Sequence, residues 1–327
     1  MSSGKVIECT LCPKFCRIAE GQSGNCRIRV NIEGDLKAVT FGYPCAVHID
    51  PVEKKPLFHF HPGEGIFSIA TAGCNLHCKN CQNWEISQGN PEEIEAYKLM
   101  PDDIVRLTKN EGLRLVAYTY TEPLVYYEYT LESSIRAREA GLKNVLVTAG
   151  YLNEEPFREL YKYIDATNTD VKCLDDKFYR DICDATLKPV LSGIELALEM
   201  GVWVEITNLV IPTLSDSDKL ISKLCQWIKN YCGLEVPLHF SRFFPKHNLT
   251  NLPPTPTSTL LRAREIARDF GLKHIYIGNV QTNDGETTYC PADGKPLIRR
   301  AGYSILENNV IDGKCKFCSH KIAGVFK

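Results

Sequence analysis

Between residues 65 and 280, short apolar runs alternate with longer segments whose apolar residues recur every three or four positions. The apolar runs predict strands at Ile66–Ala70, Leu115–Tyr120, Asn144–Thr148, Ala166–Val171, Trp203–Val210, Pro237–Phe240 and His274–Ile277. The amphipathic segments predict helices at Asp102–Asn110, Leu124–Ala140, Glu154–Ile164, Pro189–Met200, Asp216–Tyr231 and Ser258–Phe270, the last with Ser258 as N-cap and Arg262 and Arg264 on its solvent side. Strand–helix alternation of this kind builds a parallel sheet with helices outside, closed or nearly closed into a barrel. Functional residues then belong at the C-terminal ends of the strands.

The flanks read differently. Residues 1–64 are rich in Cys, Gly and Pro; within them Val30–Thr40 predicts a hairpin turning at Glu33-Gly34-Asp35, and Ile49–Gly63 an irregular lead into the first barrel strand. Residues 281–327 carry two short β segments, Pro296–Arg300 and Tyr303–Leu306. The expected organisation is thus a Cys-rich N-terminal region (1–64), a barrel (65–280) and a ribbon-like C-terminal segment (281–327).

A net charge of −2 gives no electrostatic reason to expect nucleic-acid binding, and no run of about 18 apolar residues suggests a membrane span. The first residues lack the charged and apolar regions of a signal peptide. Fifteen cysteines in such a chain suit metal binding better than a disulfide framework, so the expected setting is cytoplasmic and poor in oxygen. Asn248-Leu249-Thr250 then reads as a surface loop, not a glycan site.

Directly after the first strand, Cys74, Cys78 and Cys81 stand in the spacing C-x3-C-x2-C. Three thiolates on one loop can bind three corners of a cubane and leave one iron open, whereas a structural zinc site shows paired knuckles. Cys9, Cys12, Cys16 and Cys26 fit a structural zinc or an auxiliary iron–sulfur cluster. Cys290, Asp293, Cys315 and Cys318 look like the two knuckles of a zinc ribbon with Asp in place of one Cys.

Other candidates lie at predicted strand ends. Glu122, the one acid in Tyr118–Pro123, can accept from a ligand ammonium, and Thr121 adjoins it; Thr148 precedes Gly150 where a ribose could approach. Asp170 and Lys172 share a strand face and can pair with each other or with a ligand. Glu205 and Thr207 share a face with Asn208 opposite. His239, Ser241 and Arg242 end a further strand, Arg242 being a natural carboxylate clamp, and Asn279 could close the rim.

The three-cysteine loop and its preceding strand resemble the signature of the radical SAM superfamily. The match widens through Asp50–Phe60, Cys81–Gln88, Tyr118–Pro123, Leu238–Pro245 and Ile277–Val280, and on these the chain resembles the radical SAM enzymes of the AmmeMemoRadiSam system, relatives of the pyruvate formate-lyase activating enzymes. The resemblance implies a partial (β/α)6-type barrel, one site-differentiated 4Fe–4S cluster, S-adenosylmethionine, and Glu122 as the group that binds the methionine amine. It implies an electron donor such as flavodoxin or ferredoxin, Memo-like and AMMECR-type partner proteins, and a small-molecule or protein substrate. Asn80 departs from the pattern, standing where the superfamily usually has an aromatic residue against adenine. Alternatives are an activase for a glycyl-radical enzyme and, in another class, a metal-binding scaffold or electron carrier.

Overall fold

The computed structural model describes residues 5–326. Its centre is one eight-stranded sheet whose spatial order follows the chain: β1 (Ala46–Pro51), β2 (Gly65–Ala70), β3 (Leu115–Tyr118), β4 (Lys143–Thr148), β5 (Ala166–Asp170), β6 (Trp203–Val210), β7 (Leu238–Arg242) and β8 (Ile275–Gly278). β2 to β8 are parallel; β1 runs antiparallel along β2, and β1 and β8 are left as open edges. Helices α1 (Pro101–Asn110), α2 (Tyr127–Glu139), α3 (Glu154–Leu160), α4 (Leu187–Glu199), α5 (Asp218–Trp227) and α6 (Thr257–Asp269) fill the six connections between the parallel strands. Neighbours in sequence are neighbours in space throughout, so the sheet has no switch point and curls as a partial barrel. The seven strands and six helices read from the hydrophobic pattern are all present.

The main core lies between sheet and helices, where Val116, Tyr118, Leu146, Val204, Ile206 and Phe240 meet residues such as Tyr129, Leu160, Ile194 and Leu260. The alternate residues point inward. There Ile66, Leu115, Ala117, Val145 and Ala166 pack on Val52, Leu57 and Phe60. All of the strand residues but Ala117 lie in the first half of their strands, so the segment after β1 plugs the lower mouth of the barrel.

Several local expectations need correction. The lead into the barrel is not irregular from its start: Ala46–Pro51 pairs with β2 from Ala46↔Ala70 to Pro51↔Gly65. Pro51 is tolerated because it ends an edge strand. Ser258 is not a cap; α6 begins at Thr257 after Pro256, and Ser258 lies in its first turn. Arg264 is not on the solvent side but buried, with Nη1 3.0 Å from Asp284 Oδ1, whereas Arg262 is exposed. α2 starts at Tyr127, three residues after the expected Leu124, because Leu124, Val125 and Tyr126 are all buried in the turn that carries Glu122.

The N-terminal hairpin, Arg29–Ile32 with Asp35–Ala38, turns at Glu33-Gly34. The C-terminal ribbon, Thr288–Tyr289, Pro296–Ala301 and Ser304–Asn308, docks under the barrel. Arg300 donates to the carbonyl of Phe58 at 2.8 Å and stacks on its ring, and the Val325 N–H donates to His59 O at 2.7 Å. No described helix is long and apolar enough to cross a membrane.

Candidate active site

β2 delivers the chain to the upper rim, where Thr121 Oγ1 donates to the carbonyl of Thr71 at 2.7 Å and fixes the start of the cysteine loop. Gly73 follows at φ +97°, and a Cβ there would lie 2.7 Å from the carbonyl oxygen of Cys26 and 2.6 Å from Ile28 Cγ2. Only glycine fits both the dihedral and the gap. The loop then runs beside residues 182–183: the His77 N–H donates to Cys183 O at 3.0 Å and that of Lys79 to Ile182 O at 2.9 Å. Gln88, from the Cys81–Gln88 stretch, donates through Nε2 to Leu76 O at 3.0 Å, and its Oε1 accepts from Arg27 at 3.2 Å. Ser87 Oγ sits 3.2 Å from Cys81 Sγ.

The three thiols are unequal. Burial pushes Cys74 well up, and Glu122 and Cys78 add to it. Burial also raises Cys81. Cys78 is held below its ordinary value, chiefly by a hydrogen bond from Cys183, which is itself pushed up by the same contact. The two opposite shifts share one cause, the contact between the two sulfurs. Sequence reasoning missed Cys183, an isolated cysteine 102 positions beyond Cys81 with no motif around it.

Glu122 is buried on the turn after β3. Its Oε1 accepts from Thr148 Oγ1 at 2.6 Å, and its Oε2 from the Ala149 N–H at 2.8 Å. Burial pushes its carboxyl up to about 7, against those hydrogen bonds and Lys172. Thr148 is thus committed to Glu122. Lys172 and Asp170 do pair, Nζ to Oδ2 at 2.6 Å, although the strand ends at Asp170. Burial pulls the ammonium down, but Asp170, Cys78 and Cys183 outweigh it and hold Lys172 above its ordinary range. The same pair thus places a fixed cation beside the cysteine loop.

Thr207, Asn208 and Arg242 stand at or near the upper ends of β6 and β7. Asn208 Nδ2 donates to Val171 O at 2.8 Å. Thr207 Oγ1, Asn208 Oδ1 and Arg242 Nε are buried without a hydrogen-bond partner. Buried orphans cost free energy and mark a place where a polar ligand belongs. Asn279 donates to Ser241 Oγ at 2.8 Å beside them, and Asn80 is buried within the loop.

Glu205 and His239 lie elsewhere. They point into the lower barrel, where the fully buried Glu205 carboxylate accepts from the N–H groups of Phe58 (3.0 Å) and His59 (2.8 Å) and from Trp203 Nε1 (3.1 Å), with His239 Nε2 at 2.7 Å. That carboxylate ties the plug to β6 and β7. Asp50, near the end of β1, binds Lys54, the buried Lys55 and Tyr120. Burial lowers Lys55 to about 8 against the pull of Asp50.

At the C-terminal end, Cys290, Asp293, Cys315 and Cys318 offer ligand atoms that all lie within 4.8 Å of one another, with Cys290 Sγ 3.6 Å from Cys318 Sγ and Cys315 Sγ 3.8 Å from Asp293 Oδ2. Zinc–sulfur bonds of about 2.3 Å put tetrahedral sulfurs roughly 3.8 Å apart. The group thus has zinc-like dimensions, with Asp293 in the fourth position. Cys9, Cys12 and Cys26 are buried and Cys16 is partly exposed, all four beside the hairpin.

The radical SAM superfamily model matches residues 68–225, the stretch from β2 through the rim just described, and the chain belongs to that superfamily; it is a radical SAM enzyme. Along 97% of its length it is 45% identical to an uncharacterized protein, MJ0808, of Methanocaldococcus jannaschii, covering 95% of that protein. It is related to the pyruvate formate-lyase-activating enzyme of Clostridium pasteurianum, 28% identical over 187 residues, 54% of this chain and 77% of that one. In fold it is similar to a radical SAM methyltransferase from Sphaerobacter thermophilus, with a TM-score of 0.52 and 14% identity over 67% of each chain. Three loop thiols, a fixed cation beside them and three orphaned polar atoms fit the cluster and the sulfonium cofactor typical of the superfamily.

Proposed function

We propose that Cys74, Cys78 and Cys81 hold a site-differentiated 4Fe–4S cluster, and that the chain cleaves S-adenosylmethionine there to abstract hydrogen from a substrate. The carrying observation is that three thiols share one rim loop directly after β2, on a chain that matches the radical SAM superfamily. When bound, these groups supply one-electron cleavage of the sulfonium to methionine and a 5′-deoxyadenosyl radical, chemistry that belongs to the cofactor.

The chain's own residues bind and orient. Glu122 accepts from the methionine ammonium, Arg242 and Lys172 face its carboxylate, and Thr207 and Asn208 offer their free oxygens to ribose hydroxyls. Reducing equivalents come from a flavodoxin- or ferredoxin-class donor, and Memo-like and AMMECR-type proteins are the partners that the sequence resemblance suggests. The C-terminal quartet takes zinc.

The likeness to the C. pasteurianum activating enzyme supports a second reading, in which the hydrogen comes from a glycine of a partner enzyme. The test of the binding site is the EPR spectrum of the reduced cluster with and without S-adenosylmethionine. A shifted spectrum supports an open iron that binds the cofactor; an unchanged one places the chain with electron carriers.

A further inference from the structure

The four N-terminal cysteines line one small cavity, with Asn75 and Arg29 also in its wall. Among the described residues, no three of these thiols come within 4.8 Å of one another, whereas the C-terminal quartet does. A tetrahedral zinc site holds its sulfurs about 2.3 Å from the metal and so roughly 3.8 Å apart. A cubane binds each thiolate through a different iron at its own corner, so its sulfurs stand farther apart.

The surroundings match a thiolate cage. The Asn25 N–H donates to Cys16 Sγ at 3.4 Å. Arg29, buried and locked to Glu128 by two hydrogen bonds of 2.7 and 2.8 Å, places a cation beside Cys9 and Cys26. Such hydrogen bonds and charges set the properties of iron–sulfur centres. The cage also abuts the radical loop: Gly73 lies against the carbonyl of Cys26, and Asn75, next to Cys74, has its buried Oδ1 unpartnered.

We propose that Cys9, Cys12, Cys16 and Cys26 hold a second iron–sulfur cluster of the four-iron type, back to back with the rim cysteines, and not a structural zinc. The assignment does not depend on the radical chemistry proposed above. It is tested on the full chain after anaerobic reconstitution with iron and sulfide in the presence of zinc, by metal analysis and Mössbauer spectroscopy. The wild type is expected to carry about eight irons per chain, and the Cys74→Ala/Cys78→Ala/Cys81→Ala variant about four irons in a cubane spectrum. Replacing Cys9, Cys12, Cys16 and Cys26 by Ala also leaves about four, those of the rim loop.

A wild type with about four irons, all lost in the rim variant, and zinc at the N-terminal cysteines overturns the proposal. If the rim reading fails instead, the wild type's irons persist in the rim variant and vanish in the N-terminal one. Should a variant not fold, zinc-edge X-ray absorption on the wild type decides. A single Cys-and-Asp zinc environment supports the cluster, and an additional four-sulfur zinc environment contradicts it.

Discussion

Thr148 donates its hydroxyl hydrogen to Glu122 Oε1 across 2.6 Å, while the N–H of the next residue, Ala149, holds Oε2 at 2.8 Å. The end of β4 therefore fixes the carboxylate carried by the turn after β3. Two adjacent strands are needed to place one side chain at the rim.

That geometry has a pH signature. Burial raises the Glu122 carboxyl to about 7, so the folded protein holds this proton more tightly than the unfolded chain, where it leaves near 4.5. The stability it contributes is fully present below the unfolded value and is lost as pH rises through about 7, by roughly 3 kcal/mol. In metal-free protein, Glu122→Gln should flatten that part of the stability–pH curve measured by urea unfolding. An unchanged slope would assign the proton to another group.

Cys78 and Cys183 should separate sharply. Cys78→Ala removes a ligand, so cluster iron should fall and 5′-deoxyadenosine formation should drop to background. Cys183→Ala removes a hydrogen bond to the Cys78 sulfur and should leave the iron content intact while shifting the reduction potential of the cluster. Loss of iron from Cys183→Ala would make it a ligand and refute the open-iron reading.

The lower barrel depends on Glu205. Its carboxylate is fully buried and serves four donors from the plug, β6 and β7. Glu205→Ala strands those donors, and the expected cost is about 3 kcal/mol or more in unfolding free energy. Glu205→Gln keeps an acceptor and should cost less. Because these residues lie in the lower barrel, away from the rim, affinity for S-adenosylmethionine in the surviving folded protein should change little by calorimetry.

Much of this was legible in the chain. The parallel strands are buried on both faces and so read as unbroken apolar runs, and the three-cysteine loop follows the first of them directly. Glu122, Asp170, Lys172 and Arg242 are candidates from sequence because strand ends gather at one rim, and the structure places them at or just after strand ends. Glu205 and His239 look alike in sequence to rim residues, since a period of two gives the face but not the depth along a strand. Their depth is set by Phe58 and His59, some 146 residues away. The antiparallel β1 was hidden because His48 and Asp50 break its apolar pattern, and its partner is the back of β2. Cys183 carries no motif at all; only the folded chain brings it to the cysteine loop, and Asn75 to the N-terminal cysteines.

Asp293 gives a test at the other end. Asp293→Ala should weaken zinc retention by at least about tenfold in chelator competition, and Asp293→Cys should restore it, since three thiolates plus either fourth donor suit the ion. Indifference of zinc content to both changes would remove Asp293 from the ligand set.

The most direct measurement is formation of 5′-deoxyadenosine by anaerobically reconstituted protein given dithionite and S-adenosylmethionine, with Cys78→Ala in parallel and the Memo-like partner added in a second series. The account predicts product from the wild type, in at least one series, and none from the variant. Intact cluster without product in either series, or equal product from Cys78→Ala, would contradict it.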